Sequence, residues 1–149
     1  MRKERTLVLI KPDAVAKRIV GHIISDFEML GFKMVGLKLV DVRQELAEKH
    51  YNEHKGKAFY EELIKYITGK LHNAKVVAIV YEGENIVQKI REVTGATHPD
   101  KADSFSLRGR YGKVHSIHGW HETVIHASDS QESAEREISL WFKPDELVE

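Results

Sequence analysis

The sequence predicts an α/β (α+β) fold, a ferredoxin-like split βαβ sandwich with a four-stranded antiparallel sheet, helices, and a long loop before the last strand. Three observations predict it. Short, continuous apolar runs, Thr6-Leu-Val-Leu-Ile10 and Val76-Val-Ala-Ile-Val-Tyr81, read as strands buried on both faces. Segments with apolar residues at helical spacing follow them. The resulting order, β-α-β-(α-α)-β-α-loop-β-α, divides into two strand-helix-strand halves, for which the helices are expected on one face of the sheet. A flavodoxin-like doubly wound sheet is the alternative.

The first strand is stopped by Lys11-Pro12-Asp13, which sets those residues in a turn at the sheet's rim. From Val15 a stripe of Ile19, Ile23, Phe27 and Leu30 predicts one helix, closed by Gly31. Residues 32–42 alternate in part and suggest the second strand. Residues 44–50 and 58–67 read as a helical pair broken near Lys55-Gly56. After the strand at 76–81, residues 85–94 form a helix closed by Gly95. Between Gly95 and Glu122 the pattern dissolves into Gly, Pro, Asp, Ser and His, a loop far longer than ordinary connections. A short strand, Thr123-Val-Ile-His-Ala127, leads to a last helix that Ser128-Asp129-Ser130 can cap and that runs to Lys143-Pro144.

The 149 residues suit one domain, 1–149, and no repeat or Pro/Ser-rich linker divides them. Twenty-three basic residues balance 23 acidic ones, so no nucleic-acid partner and no anionic membrane is called for, and any polyanion site must be local. The absence of cysteine excludes disulfides, thiolate metal sites and cysteine nucleophiles. The charged start leads into only four apolar residues, Leu7 to Ile10, too few for a signal-peptide core or a membrane span. A soluble, cytoplasmic protein is expected.

The stretch that most suggests chemistry is Thr123-Val-Ile-His126-Ala-Ser128-Asp129-Ser130, continuing to Glu137. A histidine there ends a strand just before a capped helix, whose free N–H groups and dipole favour an anion. Imidazole is a nucleophile near neutral pH when a hydrogen bond to one nitrogen fixes the tautomer. Glu137, about two and a half turns along the helix, is spaced to supply that bond. By its residues alone the segment fits a satisfied core histidine at least as well. No P-loop, dinucleotide glycine fingerprint or protein-kinase glycine loop is present, so any phosphates must be held by side chains.

The segment resembles the active-site signature of nucleoside diphosphate kinases: Asn, two residues, His, Gly or Ala, Ser, Asp, a small residue, any residue, Glu. The likeness extends from Glu4-Arg5-Thr6 through Lys11-Pro12-Asp13, Val20-Gly21, Gly31-Phe32, His50-Tyr51, Gly95-Ala96-Thr97 and Leu107-Arg108-Gly109 to Leu140-Trp141-Phe142-Lys143-Pro144, nearly the whole chain. It implies transfer of a γ-phosphate between nucleotides by a ping-pong mechanism through a pros-phosphohistidine at His126. Lys11 and Tyr51 would sit beside that histidine, Glu137 would orient it, and Ser128 belongs to the same motif. Arg91, Thr97 and Arg108 would bind phosphates, Phe59 would stack on the base with Leu63 beside it, and Thr123 would meet the sugar. The implied substrates are nucleoside di- and triphosphates (ATP, GTP, ADP, GDP and deoxy forms), with Mg²⁺ riding on their phosphates rather than on protein carboxylates. The implied assembly is a homo-oligomer, tetramer or hexamer.

The chain departs from the pattern in three places. Thr123 replaces the signature asparagine, with shorter reach to the sugar. Arg110 stands where Arg-Gly-Asp is usual. The loop from Arg108 to His126 is about five residues longer than the pattern, and carries His115, His118 and His121. Two other functions follow from these departures: a catalytically weakened nucleotide-binding module of the same fold, or a metal site built on the loop histidines, although Gly119 weakens a helix that would align them.

Overall fold

A computed structural model describes residues 3–114 and 121–149. Its main sheet contains β1 (Lys3–Ile10), β2 (Lys33–Val40), β3 (Val76–Glu84) and β6 (Ile125–Ala127), in the order β2-β3-β1-β6 with every neighbouring pair antiparallel. β3 lies between β1 and β2, and β1 between β3 and β6, so each strand-helix-strand half is split by a strand of the other. This is the predicted ferredoxin-like topology.

The helices lie on both faces, which corrects the expectation of one. Successive side chains of a strand point to opposite sides, and every residue from Leu7 to Ile10 is fully buried. Leu7 and Leu9, with Val76, Ala78 and Val80, pack against α3 (Gln44–His50), α4 (Tyr60–Ile67) and α7 (Gln131–Trp141) through Ala47, Ile64, Ile67 and Trp141. Val8, Ile10, Ile79 and Tyr81 pack against α2 (Val20–Met29) and α5 (Ile86–Thr94) through Ile23, Phe27, Ile86 and Ile90. The continuous apolar runs are the signature of that double coverage.

The single helix expected from Val15 is two. α1 (Pro12–Ala16) opens with Pro12, whose missing N–H costs nothing in a first turn. The chain then turns at Arg18, which has φ +61°, before α2 begins. The region from Gly95 to Glu122 is not a plain loop. It holds a 3₁₀ turn (Pro99–Lys101), α6 (Leu107–Tyr111), and a two-stranded ribbon of β4 (Lys113–Val114) with β5 (His121–Glu122). Elements this short carry too little periodicity to register in sequence. The last helix stops at Trp141, and Ser130 caps it by accepting the Ser133 N–H at 3.1 Å.

Candidate active site

Where β1 ends beside β6, the chain builds a cleft of about 620 Å³. Lys11, Tyr51, Phe59, Leu63, Arg91, Thr97, Arg108, Thr123, His126 and Glu137 all line it. Ser128 lies behind the wall, fully buried. The residues singled out in sequence therefore converge on one place.

His126 is placed by the register of β6 on β1, opposite Leu9. Its Nε2 is 2.6 Å from Glu137 Oε1, and the Ser128 hydroxyl donates to the same oxygen at 3.0 Å. Burial, with the nearby charges of Lys11 and Arg108, lowers the imidazole pKa to about 3, so the ring is neutral at physiological pH. With Nε2–H donating to Glu137, the lone pair is on Nδ1. His50 lies beside it, its ring 4.6 Å from the His126 ring and edge-on. Trp141 Nε1–H donates to His50 Nδ1 at 3.0 Å, which fixes the His50 tautomer too. His50, His126 and Glu137 bring potential ligand atoms within 4.8 Å of one another, and hydrogen bonds already engage His126 Nε2, Glu137 and His50 Nδ1.

The floor on the other side of His126 rests on a strained turn. Val124 has φ +57°, unusual for a β-branched residue, and the Ile125 N–H closes back on the Thr123 carbonyl at 2.6 Å. A fully buried carboxylate holds the turn. Asp13 accepts the Val124 N–H at 3.1 Å and the Tyr66 hydroxyl at 2.6 Å, while Tyr66 accepts the Thr123 N–H at 3.0 Å. Lys11 donates to the Thr123 hydroxyl at 2.8 Å and lies 5.0 Å from the centre of the Tyr66 ring. Its burial, reinforced by Arg108, lowers its pKa to about 7 despite Asp13.

Arg108 is anchored from behind, donating to the carbonyls of Gly95 at 3.1 Å and Ile125 at 2.7 Å. Gly95 has φ +90°, and a Cβ there would run into the Ser106 side chain. Arg108 Nε is buried without an acceptor among the described residues. Burial, with Arg91 nearby, lowers its pKa to about 10, so the guanidinium remains charged. Arg91 stands at the rim, paired with Asp129 at 2.8 Å. Arg110 points elsewhere, into an ion pair with Asp26 of α2. The charge change it represents therefore falls outside the cleft lining.

At the far end Phe59 is 46 % exposed, with His54 against it, ring centres 5.4 Å apart. His50, His54, Tyr66 and Asp13 are site residues that sequence reasoning did not assign. For Asp13 the available signal was an acid directly after a buried strand. For His50 and Tyr66 there was none, because the partners that place them, Trp141, His126 and Asp13, are distant in the chain, and His54 meets Phe59 in a turn that leaves no periodic mark. Of the loop histidines, His115 and His118 lie outside the described residues; His121 lines the cleft, its ring 4.4 Å from that of His98.

Comparison with known proteins agrees with the geometry. The family model described as nucleoside diphosphate kinase matches residues 4–147. A nucleoside diphosphate kinase of Pyrococcus furiosus is 55 % identical over 98 % of this chain and 87 % of its own length. One of Methanocaldococcus jannaschii is 44 % identical over 99 % of both. Among solved structures, the Halobacterium salinarum enzyme in complex with CDP superposes with a TM-score of 0.89 at 37 % identity, covering 99 % of this chain and 93 % of its own. The Borrelia burgdorferi enzyme, a transition state mimic with vanadate and ADP, gives 0.88 at 35 % identity, covering 99 % and 91 %. With the model matched across 144 residues (4 to 147 inclusive) of 149, this chain belongs to the nucleoside diphosphate kinase family.

Proposed function

We propose that the protein moves the γ-phosphate of a nucleoside triphosphate to a nucleoside diphosphate, carrying it on Nδ1 of His126. The observation that carries this reading is the 2.6 Å bond from Nε2 to Glu137. A carboxylate acceptor there keeps the ring proton on Nε2 and leaves the lone pair on Nδ1, in a cleft lined by Lys11, Arg91 and Arg108.

In the first half-reaction the Nδ1 lone pair attacks the γ-phosphorus as the bond to the β–γ bridging oxygen breaks. The diphosphate leaves with the electron pair. Positive charge developing on the ring is met by the Glu137 carboxylate through Nε2–H. Arg108 and Arg91 bind phosphate oxygens, Thr97 adds a hydroxyl, and Lys11 takes up a proton as the polyphosphate replaces lost solvent. Tyr51, packed edge-on against His50 at 4.7 Å, walls the reacting centre. In the second half-reaction a different diphosphate accepts the group by the reverse path. Phe59 stacks on the base and Leu63 supports it, a mode that tolerates any π-face and so admits ATP, GTP and deoxy forms alike. Thr123, its oxygen already accepting from Lys11, uses its own O–H toward the sugar.

The donors at the phosphate end are cationic, and two carboxylates of the cleft are already engaged, Asp129 by Arg91 and Glu137 by His126 and Ser128. That set fits a metal delivered on the nucleotide, with Lys11, Arg91 and Arg108 holding the complex. When bound, Mg²⁺ offsets negative charge on the phosphate oxygens.

We further infer a homo-oligomer. β2 is an edge strand with Leu37 and Leu39 exposed, and Phe105 is 87 % exposed, surfaces that association would cover. A cytoplasmic setting suits a cysteine-free chain, and among the described residues no helix is long and apolar enough to cross a membrane.

Incubation with γ-labelled ATP and Mg²⁺ should give an acid-labile, alkali-stable phosphoprotein that ADP or GDP discharges. Persistence of that label in His126→Ala would defeat the assignment.

A further inference from the structure

Outside the catalytic set, the described chain buries another carboxylate that the mechanism does not use. Glu122 is 3 % exposed, on β5. Its Oε2 is 2.5 Å from His72 Nε2, and its Oε1 is 3.3 Å from Lys17 Nζ and 3.5 Å from Lys113 Nζ. A carboxylate is buried at a cost unless it is fully partnered. Burial raises its pKa, yet the hydrogen bonds from His72 and Lys17 hold it below the ordinary value, so it is anionic at neutral pH.

Its partners come from three segments, two of which adjoin the cleft. Lys17 follows α1, which begins directly after Lys11, and its backbone N–H donates to the Asp13 carbonyl at 3.0 Å. His72 follows Leu71, a cleft residue, and its ring packs on Tyr66 at 5.6 Å. Lys113 faces Glu122 across the β4–β5 ribbon. Glu122 itself immediately precedes Thr123, whose backbone is bound by Tyr66 and whose hydroxyl is bound by Lys11. On the other side of Thr123 the chain is fixed by the strained Val124 turn.

We propose that Glu122 is a positioning residue for phosphoryl transfer, its carboxylate stapling these three segments so that Thr123 stays against Lys11. This rests on the function proposed above. Without the carboxylate, the chain entering Thr123 loses its staple, Thr123 keeps only its own bonds to Tyr66 and Lys11 and the Val124 turn, and the Lys11 ammonium is held less firmly. Misplacement of a catalytic group by a fraction of an ångström to an ångström costs rate more than binding.

The test is single-turnover phosphorylation of His126 at saturating MgATP, with ADP affinity measured in parallel. For Glu122→Gln the phosphorylation rate should fall about tenfold while ADP affinity changes less than about twofold. In a Thr123→Ala background the same substitution should cost less than about twofold, because residues acting through one contact are non-additive. Lys17→Met, which removes one partner and leaves Glu122 in place, should show the same pattern at smaller size, and it serves if Glu122→Gln fails to fold. A wild-type rate in both single variants would overturn the proposal. So would an equal loss with and without the Thr123 hydroxyl, which marks a general effect on the fold. If the wild-type protein forms no phosphohistidine, the underlying function fails, and this proposal with it.

Discussion

The floor and the rim of the cleft are built on opposite principles. On the floor, bonds of 2.6 to 3.1 Å tie two clusters, Asp13 with Tyr66, Thr123 and Val124, and Glu137 with Ser128 and His126, and Asp13 and Ser128 are fully buried. At the rim, Phe59 is half exposed, Arg91 meets Asp129 in solvent, and His121 is on the outer ribbon. Preorganised dipoles act where charge develops in the transition state and so belong on the floor. On the proposed function, a rim of exposed aromatic surface and cations would hold a nucleotide without committing to one base. The difference assigns rate to the floor and breadth to the rim, and mutations should separate the two.

The largest effect is expected from Glu137→Gln. The amide can donate an N–H to Nε2, which moves the ring proton to Nδ1 and blocks attack, so turnover should fall on the order of 10³–10⁴-fold. Nucleotide affinity should hardly move. A loss of affinity in step with rate would break the division of labour. Lys11→Ala follows, with an expected fall of about 10²–10³-fold in the phosphorylation step, comparable to removal of one oxyanion donor.

Lys11 also predicts a proton count. Its pKa is lowered to about 7 in the free protein, so at pH 8.5 it is mostly neutral, and a bound polyphosphate raises its pKa. Binding of ADP at that pH should therefore take up close to one proton, and below pH 6 almost none. Calorimetry in buffers of different ionisation enthalpy measures this directly. Buffer-independent heats at pH 8.5 would show that Lys11 is already charged. His126, with its pKa lowered to about 3, should contribute no acid limb to the rate near pH 6 to 7.

On the rim, Phe59→Ala should raise KM for every nucleotide by a similar factor, corresponding to about 1–3 kcal/mol of lost stacking, with kcat little changed. A loss confined to purines would mean that the rim reads the base. The smallest effect is expected at Thr123→Asn. The threonine oxygen already holds Lys11 at 2.8 Å, so the exchange should alter turnover by less than one hydrogen bond's worth, about 1 kcal/mol. A gain far above that would support the weakened-module alternative.

Much of this arrangement is legible in the sequence, unevenly and for physical reasons. The two central strands announce themselves because coverage on both faces demands unbroken apolar runs, and the same fact argues for helices on two faces rather than one. His126 and Glu137 are readable because strand, cap and helix fix their spacing locally. The break at Arg18 is not, since a left-handed arginine carries no compositional mark. Neither is the bond between Asp13 and Tyr66, residues 53 apart in sequence, nor the closure of Glu122 on His72 across 50. Phe59 and Leu63 are ordinary apolar residues until a family likeness places them in a cleft. The departures at Thr123 and Arg110 look graver in sequence than in space: one keeps its partner, and the other turns to Asp26.

In the proposed mechanism Glu137 holds Nε2 and the phosphate travels on Nδ1. NMR of the phosphorylated protein, correlating phosphorus with the ring nitrogens and carbons of His126, tests it most directly. The prediction is a phosphoramidate on Nδ1, with Nε2 protonated and bonded to Glu137. A phosphate on Nε2, or on a residue other than His126, would contradict it.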